Sequence, residues 1–222
     1  MIKKVSIIFI FVLLVLQACG PRPETPDSSP IDEHVESRPD QRMERWLDYY
    51  GFDREDFTDS ATYARPYRLE KRPFEINRED PFSALFVFNS DSTLAIDLDS
   101  YHLVLEEDSE GGLFFQGRGA DMEIGLIDLK DNSRERLLFC GPACLFEEGS
   151  FHPDGHIVIT GFSENGQGYS PTIWRIQPEK DSLEVFITPG AYDAAKITYL
   201  PDVRLKHIRF RHNDKPAVSV DL

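Results

Sequence analysis

The stretch Phe151-His-Pro-Asp154-Gly155-His156-Ile-Val-Ile-Thr-Gly161 sets the fold class. Asp154-Gly155 supplies a tight-turn pair, and the β-branched run behind it suits a short strand. The same alternation of short apolar runs and turn residues extends outward in both directions. Upstream the runs are Tyr67–Ile76, Ala84–Phe88, Thr93–Leu98, His102–Glu106, Leu113–Gln116, Glu123–Leu129 and Arg136–Cys140. After His156–Gly161 they continue as Thr172–Gln177, Leu183–Thr188, Val203–Arg211 and Ala217–Val220. The groups NSDS, SEGG, KDNS, HPDG, ENGQG, EKDS and HNDK separate them. No long helical pattern intervenes, which argues against a parallel sheet with crossover helices. The chain reads as mostly β, an antiparallel meander arranged as a sandwich, a barrel or a small propeller-like domain.

Two internal similarities accompany this pattern. Phe88-Asn-Ser-Asp91-Ser-Thr-Leu94-Ala-Ile96 aligns without a gap on Phe151-His-Pro-Asp154-Gly-His-Ile157-Val-Ile159. Leu126-Ile127-Asp-Leu129, with Phe139 downstream, aligns on Ile173-Trp174-Arg-Ile176, with Phe186 downstream. The FHPDGHIVITG segment and the Trp-Arg-Ile strand after it resemble the hairpins of β-propeller blades, over residues 84–188. Blades run about 40–45 residues and closure needs at least four. Residues 67–222 barely supply that many, so a propeller-like meander and a generic sandwich or barrel both stay open.

The chain has 222 residues, with 39 Asp+Glu against 24 Lys+Arg and a formal charge of −15. This length suits one domain with a tail. The acidic balance argues against a nucleic-acid partner and against binding an anionic membrane by charge alone. Ahead of the strands, Asp40 to Gly51 reads as one short N-terminal helix, with an N-cap, a glycine stop, and Met43, Trp46, Leu47 and Tyr50 on one face. That face is expected to pack on its own domain, with Phe52 and Phe57 extending the patch.

Lys3 and Lys4 precede an apolar run from Val5 to Leu16, interrupted by Ser6. Such a run rises about 18 Å as a helix, short of a bilayer core of about 30 Å, and reads as a secretion signal. It closes with Leu16-Gln17-Ala18-Cys19, which resembles the lipobox of bacterial lipoproteins. The resemblance implies cleavage before Cys19 and acylation of that cysteine, hence an extracytoplasmic protein held to the membrane by its lipid. With Gly20 in place of Asp after the cysteine, it favours the outer over the inner membrane. Residues 1–18 are then signal peptide and 19–40 a lipidated cysteine with a Pro-rich disordered tether. Prolines 21, 23, 26, 30 and 39 and few apolar residues mark that tether. Residues 41–222 form a single β-rich domain.

Cys140-Gly-Pro-Ala-Cys144 is expected to be a disulfide closing a strand-to-strand turn, since an oxidising compartment leaves these as the two remaining thiols. The motif also resembles the CGPC of thioredoxins with one residue inserted, and shares its spacing with periplasmic copper-delivery proteins. Both families start a helix at the motif, whereas CLFEEG here reads as strand then turn. His152 and His156 flank the Pro-Asp-Gly turn, and His102, His207 and His212 lie in or near strands. No zinc spacing matches them, so neither metal nor cofactor is expected.

Asp97/Asp99, Glu106-Glu107-Asp108 and Glu147-Glu148 neither establish nor exclude carboxylate-pair hydrolysis. Asn89-Ser-Asp91 and Asp108-Ser-Glu110-Gly111 lack the ligand count of calcium loops. Arg204, Lys206, Arg209 and Arg211 fall on one expected strand, either compensating acidic neighbours or meeting an anionic partner. No nucleophile elbow, phosphate loop or dinucleotide motif is present. The expected function is an accessory or interaction subunit of the bacterial envelope, with an envelope protein as partner. The alternatives are a periplasmic ligand-binding protein or carboxylate-dependent hydrolase, and metal or redox delivery through Cys140 and Cys144.

Overall fold

The computed structural model describes residues 39–64, 71–77, 80–107 and 112–210. The expected signal peptide, Cys19, nearly all of the expected tether, Arg211 and the strand expected at Ala217–Val220 lie outside these residues. The chain is mostly β, and its sheets are antiparallel apart from one short parallel pairing. Helix α1 spans Pro39–Tyr50; at twelve residues it is of average rather than short length.

The strands are β1 (Asp59–Ala64), β2 (Arg72–Pro73), β3 (Val87–Phe88), β4 (Leu94–Asp97), β5 (Leu103–Glu107), β6 (Leu113–Gly117), β7 (Met122–Asp128), β8 (Ser133–Cys140), β9 (Cys144–Phe151), β10 (Ile157–Glu164), β11 (Tyr169–Gln177), β12 (Ser182–Ile187) and β13 (Arg209–Phe210). One sheet runs β2-β8-β7-β4-β3 and another β1-β12-β11-β10-β9; a small one runs β13-β6-β5. Each large sheet is thus a four-strand meander with one earlier segment added at its far edge. In the first meander, of β3, β4, β7 and β8, the β5–β6 hairpin is inserted midway. The second runs uninterrupted from β9 to β12.

The internal similarity follows this symmetry. Phe88–Ile96 and Phe151–Ile159 are the opening hairpins of the two meanders, β3–β4 and β9–β10. Leu126 and Ile173 lie on the third strands and Phe139 and Phe186 on the fourth. The two sheets bury a common core between them. Val87, Ile96, Ile124, Leu126 and Leu138 come from the first, and Phe146, Ile157, Ile159, Trp174 and Ile176 from the second. The other face of the second sheet is partly covered by α1, whose Trp46 and Leu47 are buried against Phe162 and Tyr199. The expected apolar helix face does pack on the domain, and Met43, Tyr50, Phe52 and Phe57 join the same cluster.

Two expectations are corrected. The CLFEEG segment does not turn after its first residues: β9 continues to Phe151, with Glu147 and Glu148 buried inside it. The long basic strand Val203–Arg211 does not form. Leu200–Arg204 is a single π-helical turn, and only Arg209–Phe210 is extended. Leu205 and Ile208 are buried against Leu103 and Phe115, and that packing holds the segment in turns.

Candidate functional site

The outward face of the second sheet carries a groove of about 350 Å³ beside α1. Its floor follows from strand alternation. Ile157, Ile159, Trp174 and Ile176 point into the core, so Ser150, Val158, Ile173, Arg175 and Phe186 point the other way and line the groove. Met43, Arg54 and Phe57 form one wall, and His152, Asp154 and His156 close the end at the β9–β10 turn. Arg175 pairs with Glu184 and lies 5.4 Å over the Phe186 ring. Arg54 donates to Glu44 at 2.7 Å.

At the turn, both imidazoles converge on one carboxylate oxygen. His152 Nδ1 is 2.7 Å from Asp154 Oδ1, and His156 Nδ1 is 2.6 Å from the same atom. The backbone N–H of His156 donates to that oxygen at 3.2 Å. The His156 and then the His152 imidazole hold the Asp154 carboxyl far below the usual carboxylate range. His156 Nδ1 is buried and, despite its closeness, has no hydrogen-bond partner. Its Nε2 meets the side-chain amide of Gln177 on β11.

The middle of β9 holds buried charge. Pairing with β10 slips by one residue between Thr160 and Gly161, so Glu147 is the extra residue of a β-bulge. The bulge is what lets neighbouring residues face the same helix. Glu147 accepts from Trp46 Nε1 at 2.8 Å and from Tyr50 OH at 2.9 Å. Glu148 accepts from Arg45 at 2.6 Å, Arg42 at 3.0 Å and Tyr199 OH at 2.8 Å. Burial pushes Glu147 up to about 7. Burial acts the same way on Glu148, but the charges of Arg42, Arg204 and Arg45 outweigh it and hold Glu148 low. A side chain at Gly161 would place its Cβ 1.9 Å from the Leu145 carbonyl oxygen, so the bulge requires glycine there.

The charge network continues through Arg204, which grips Asp99 with both terminal nitrogens. Beside it, burial pushes His102 down to about 4, and neither ring nitrogen has a hydrogen-bond partner. Arg134 links Asp97 to Glu123, and Arg136 completes the set on Glu123. Asp97, Asp99, Glu147 and Glu148 are therefore each held by arginine, tryptophan or tyrosine, and none of them lines the groove; Glu106 and Glu107 are exposed on β5, and Asp108 lies outside the described residues.

Among the described residues, the basic side chains Arg204, Lys206 and Arg209 are not gathered on one strand. Arg204 is spent on Asp99 with its side chain 8% exposed, Lys206 and Arg209 are exposed on a turn and on β13, and Arg211 lies outside the described residues. Cys140 and Cys144 form a disulfide that joins β8 to β9 and so links the two meanders. Asn89 and Asp91 hydrogen-bond within their own turn; Asp108–Gly111 lies outside the described residues. Asp154 and Gln177 escaped the sequence reading, since an Asp in Pro-Asp-Gly already has a turn role. The alignment of His152 and His156 on Asn89 and Thr93 is the signal that sets them apart.

No protein family, curated protein or solved structure was found to match this chain.

Proposed function

We propose that this is a lipid-anchored extracytoplasmic lipoprotein of a bacterial envelope, its β domain serving as an accessory or interaction subunit. The observation that carries the reading is the Leu16-Gln17-Ala18-Cys19 box closing a cationic and apolar leader. Acyl chains on Cys19 would anchor the chain, since each buried CH₂ contributes about 0.8 kcal/mol. The proline-rich stretch after Cys19 would hold the domain off the membrane, with the outer membrane favoured. The partnering of Asp97, Asp99, Glu123 and Glu148 by arginines supports a structural use of these acids over a hydrolytic one.

The test has two arms. Cys19→Ala should abolish radiolabelled palmitate incorporation and release the protein from the membrane fraction; unchanged labelling and fractionation would contradict the anchor. A photo-crosslinker at Phe139, which is 42% exposed, should capture one dominant envelope protein in intact cells. Capture of nothing above a non-irradiated control would contradict the accessory role and turn attention to the groove and a small ligand. That second reading is favoured by the groove itself, whose size is within the range of small-molecule sites.

A further inference from the structure

The middle of β9 and the turn that follows it differ in how their side chains are bonded. Under α1, Glu147 and Glu148 have partners for their oxygens. At the turn, His152, Asp154 and His156 bring one donor atom each within 4.8 Å of the others, and all three border the groove. We propose that these three residues form a mononuclear binding site for a divalent transition-metal ion of the zinc class, with its remaining coordination positions open to the groove. The inference stands whether or not Cys19 is lipidated.

The first argument is donor and acceptor balance. The backbone N–H of His156 and the Nδ1 of His152 already serve Asp154 Oδ1. His156 Nδ1 faces the same oxygen without a hydrogen bond. The Gln177 amide nitrogen stands on His156 Nε2; with the amide turned so that its oxygen accepts from Nε2–H, Nδ1 offers a lone pair beside a carboxylate, an arrangement that a cation between them satisfies. Two imidazoles and one carboxylate are the ligand types that zinc-class ions take. Around such an ion, donors bonded at about 2.0–2.1 Å stand about 3.3 Å apart. The present 2.6–2.7 Å contacts need to widen by roughly half an ångström on that geometry, and the half-exposed Asp154 side chain can swing that far.

The second argument is the Gln177 contact on His156 Nε2. A metal-bound imidazole characteristically donates its other ring N–H to an acceptor, the part the Gln177 amide oxygen would take once the amide is turned, and this fixes the tautomer and the ring.

The third is an internal control. The equivalent turn of the first meander shares the left-handed residue and its N–H bond, although its hairpin pairs one residue out of step: Asn89 donates to Leu94, whereas His152 donates to His156. Ser92 and Gly155 both take left-handed φ, at 53° and 87°, and each donates its N–H to the residue three back at 3.0 Å. There Asn89 and Thr93 occupy the places of His152 and His156, and Asp91 is satisfied by the Thr93 hydroxyl and N–H. The turn thus folds without histidine.

The test is titration of the full chain, in detergent, with Co²⁺ followed by its visible absorption and by competition with Zn²⁺. One saturable equivalent is expected. His156→Gln and Asp154→Asn should each weaken binding at least tenfold, and Gln177→Ala by about tenfold. The double variant His152→Asn/His156→Thr should abolish binding with its far-ultraviolet circular dichroism intact, and His207→Gln should change nothing. No saturable equivalent, or undiminished affinity in a folded double variant, overturns the proposal. Should the double variant not fold, ¹⁵N shifts of the wild-type histidine rings decide. Zn²⁺ should move the Nδ1 resonances of His152 and His156 selectively; shifts elsewhere alone, or none, overturn it.

Discussion

In the hairpin that opens the first meander, Asp91 accepts from the N–H and hydroxyl of Thr93, and Asn89 ties down the N–H groups of Thr93 and Leu94. In the hairpin that opens the second, Asp154 is approached by two imidazoles, and one of their nitrogens is left without a hydrogen bond. The turns share a left-handed residue and its N–H bond; the chemistry around them differs. One turn closes its own hydrogen-bonding ledger and the other leaves a donor set directed at a groove. A duplicated scaffold with one copy satisfied and the other unsatisfied separates what folding requires from what folding leaves over.

The largest effect expected from this comparison lies at the β9–β10 bulge and its counterpart in the first meander, where the pairing of β7 with β8 slips between Ile124 and Gly125. Gly161→Ala drives a Cβ against the Leu145 carbonyl, a backbone atom that cannot move away, and should cost more than about 4 kcal/mol. Gly125→Ala in the first meander meets the Arg134 guanidinium at 2.4 Å. That flexible group can shift at the expense of its pairing with Asp97 and Glu123, so a loss of about 1–3 kcal/mol is expected. Urea unfolding of both variants checks the order; equal losses would break the distinction.

Next comes pH. Glu147 titrates near 7 when folded against an ordinary 4.5, so the folded state binds the extra proton between these values. Its contribution is therefore complete below about pH 4.5 and is lost as pH rises through about 7, on the order of 3 kcal/mol in all. Trp46, Tyr50 and Arg204 oppose the shift, and nearby Tyr49 and Tyr192 stay protonated throughout. Glu147→Gln should remove the fall of the urea midpoint between pH 5 and 8, leaving the rise towards pH 6.5 that His102, pushed down to about 4 by burial, contributes; a midpoint that still falls would place the titration elsewhere. Glu148, held low, acts with the opposite sign: its contribution is present above the unfolded value and lost as pH falls through the folded one.

The sequence disclosed the hairpins because Asp-Gly and alternating β-branched residues act locally, and it disclosed the repeat because aligned strands kept aligned residues. It hid β9 because Glu147-Glu148 looks like a solvated turn; partners for the pair come from α1, about a hundred positions away. Arg204 was misplaced for the same reason, since Asp99 lies 105 residues distant. Groove residues such as Val158 and Phe186 were legible as strand positions and not as a surface, because α1 supplies the wall.

A smaller effect is expected at the link between the meanders. Replacing Cys140 and Cys144 by serine opens a loop with sequence separation 4, so the loss should stay at about 2 kcal/mol or less. A larger loss, by thermal or urea unfolding, would mean that the disulfide governs how the two sheets pack. The smallest stability change should come from giving the second turn the residues of the first, His152→Asn with His156→Thr, at under about 1 kcal/mol.

The most direct measurement is anomalous diffraction at the zinc edge from crystals of the protein grown with Zn²⁺. The account predicts one strong peak at about 2.0–2.1 Å from His152 Nδ1 and His156 Nδ1 and at bonding distance from an Asp154 oxygen. A map with no peak at the turn, or with zinc only at other side chains, would contradict it.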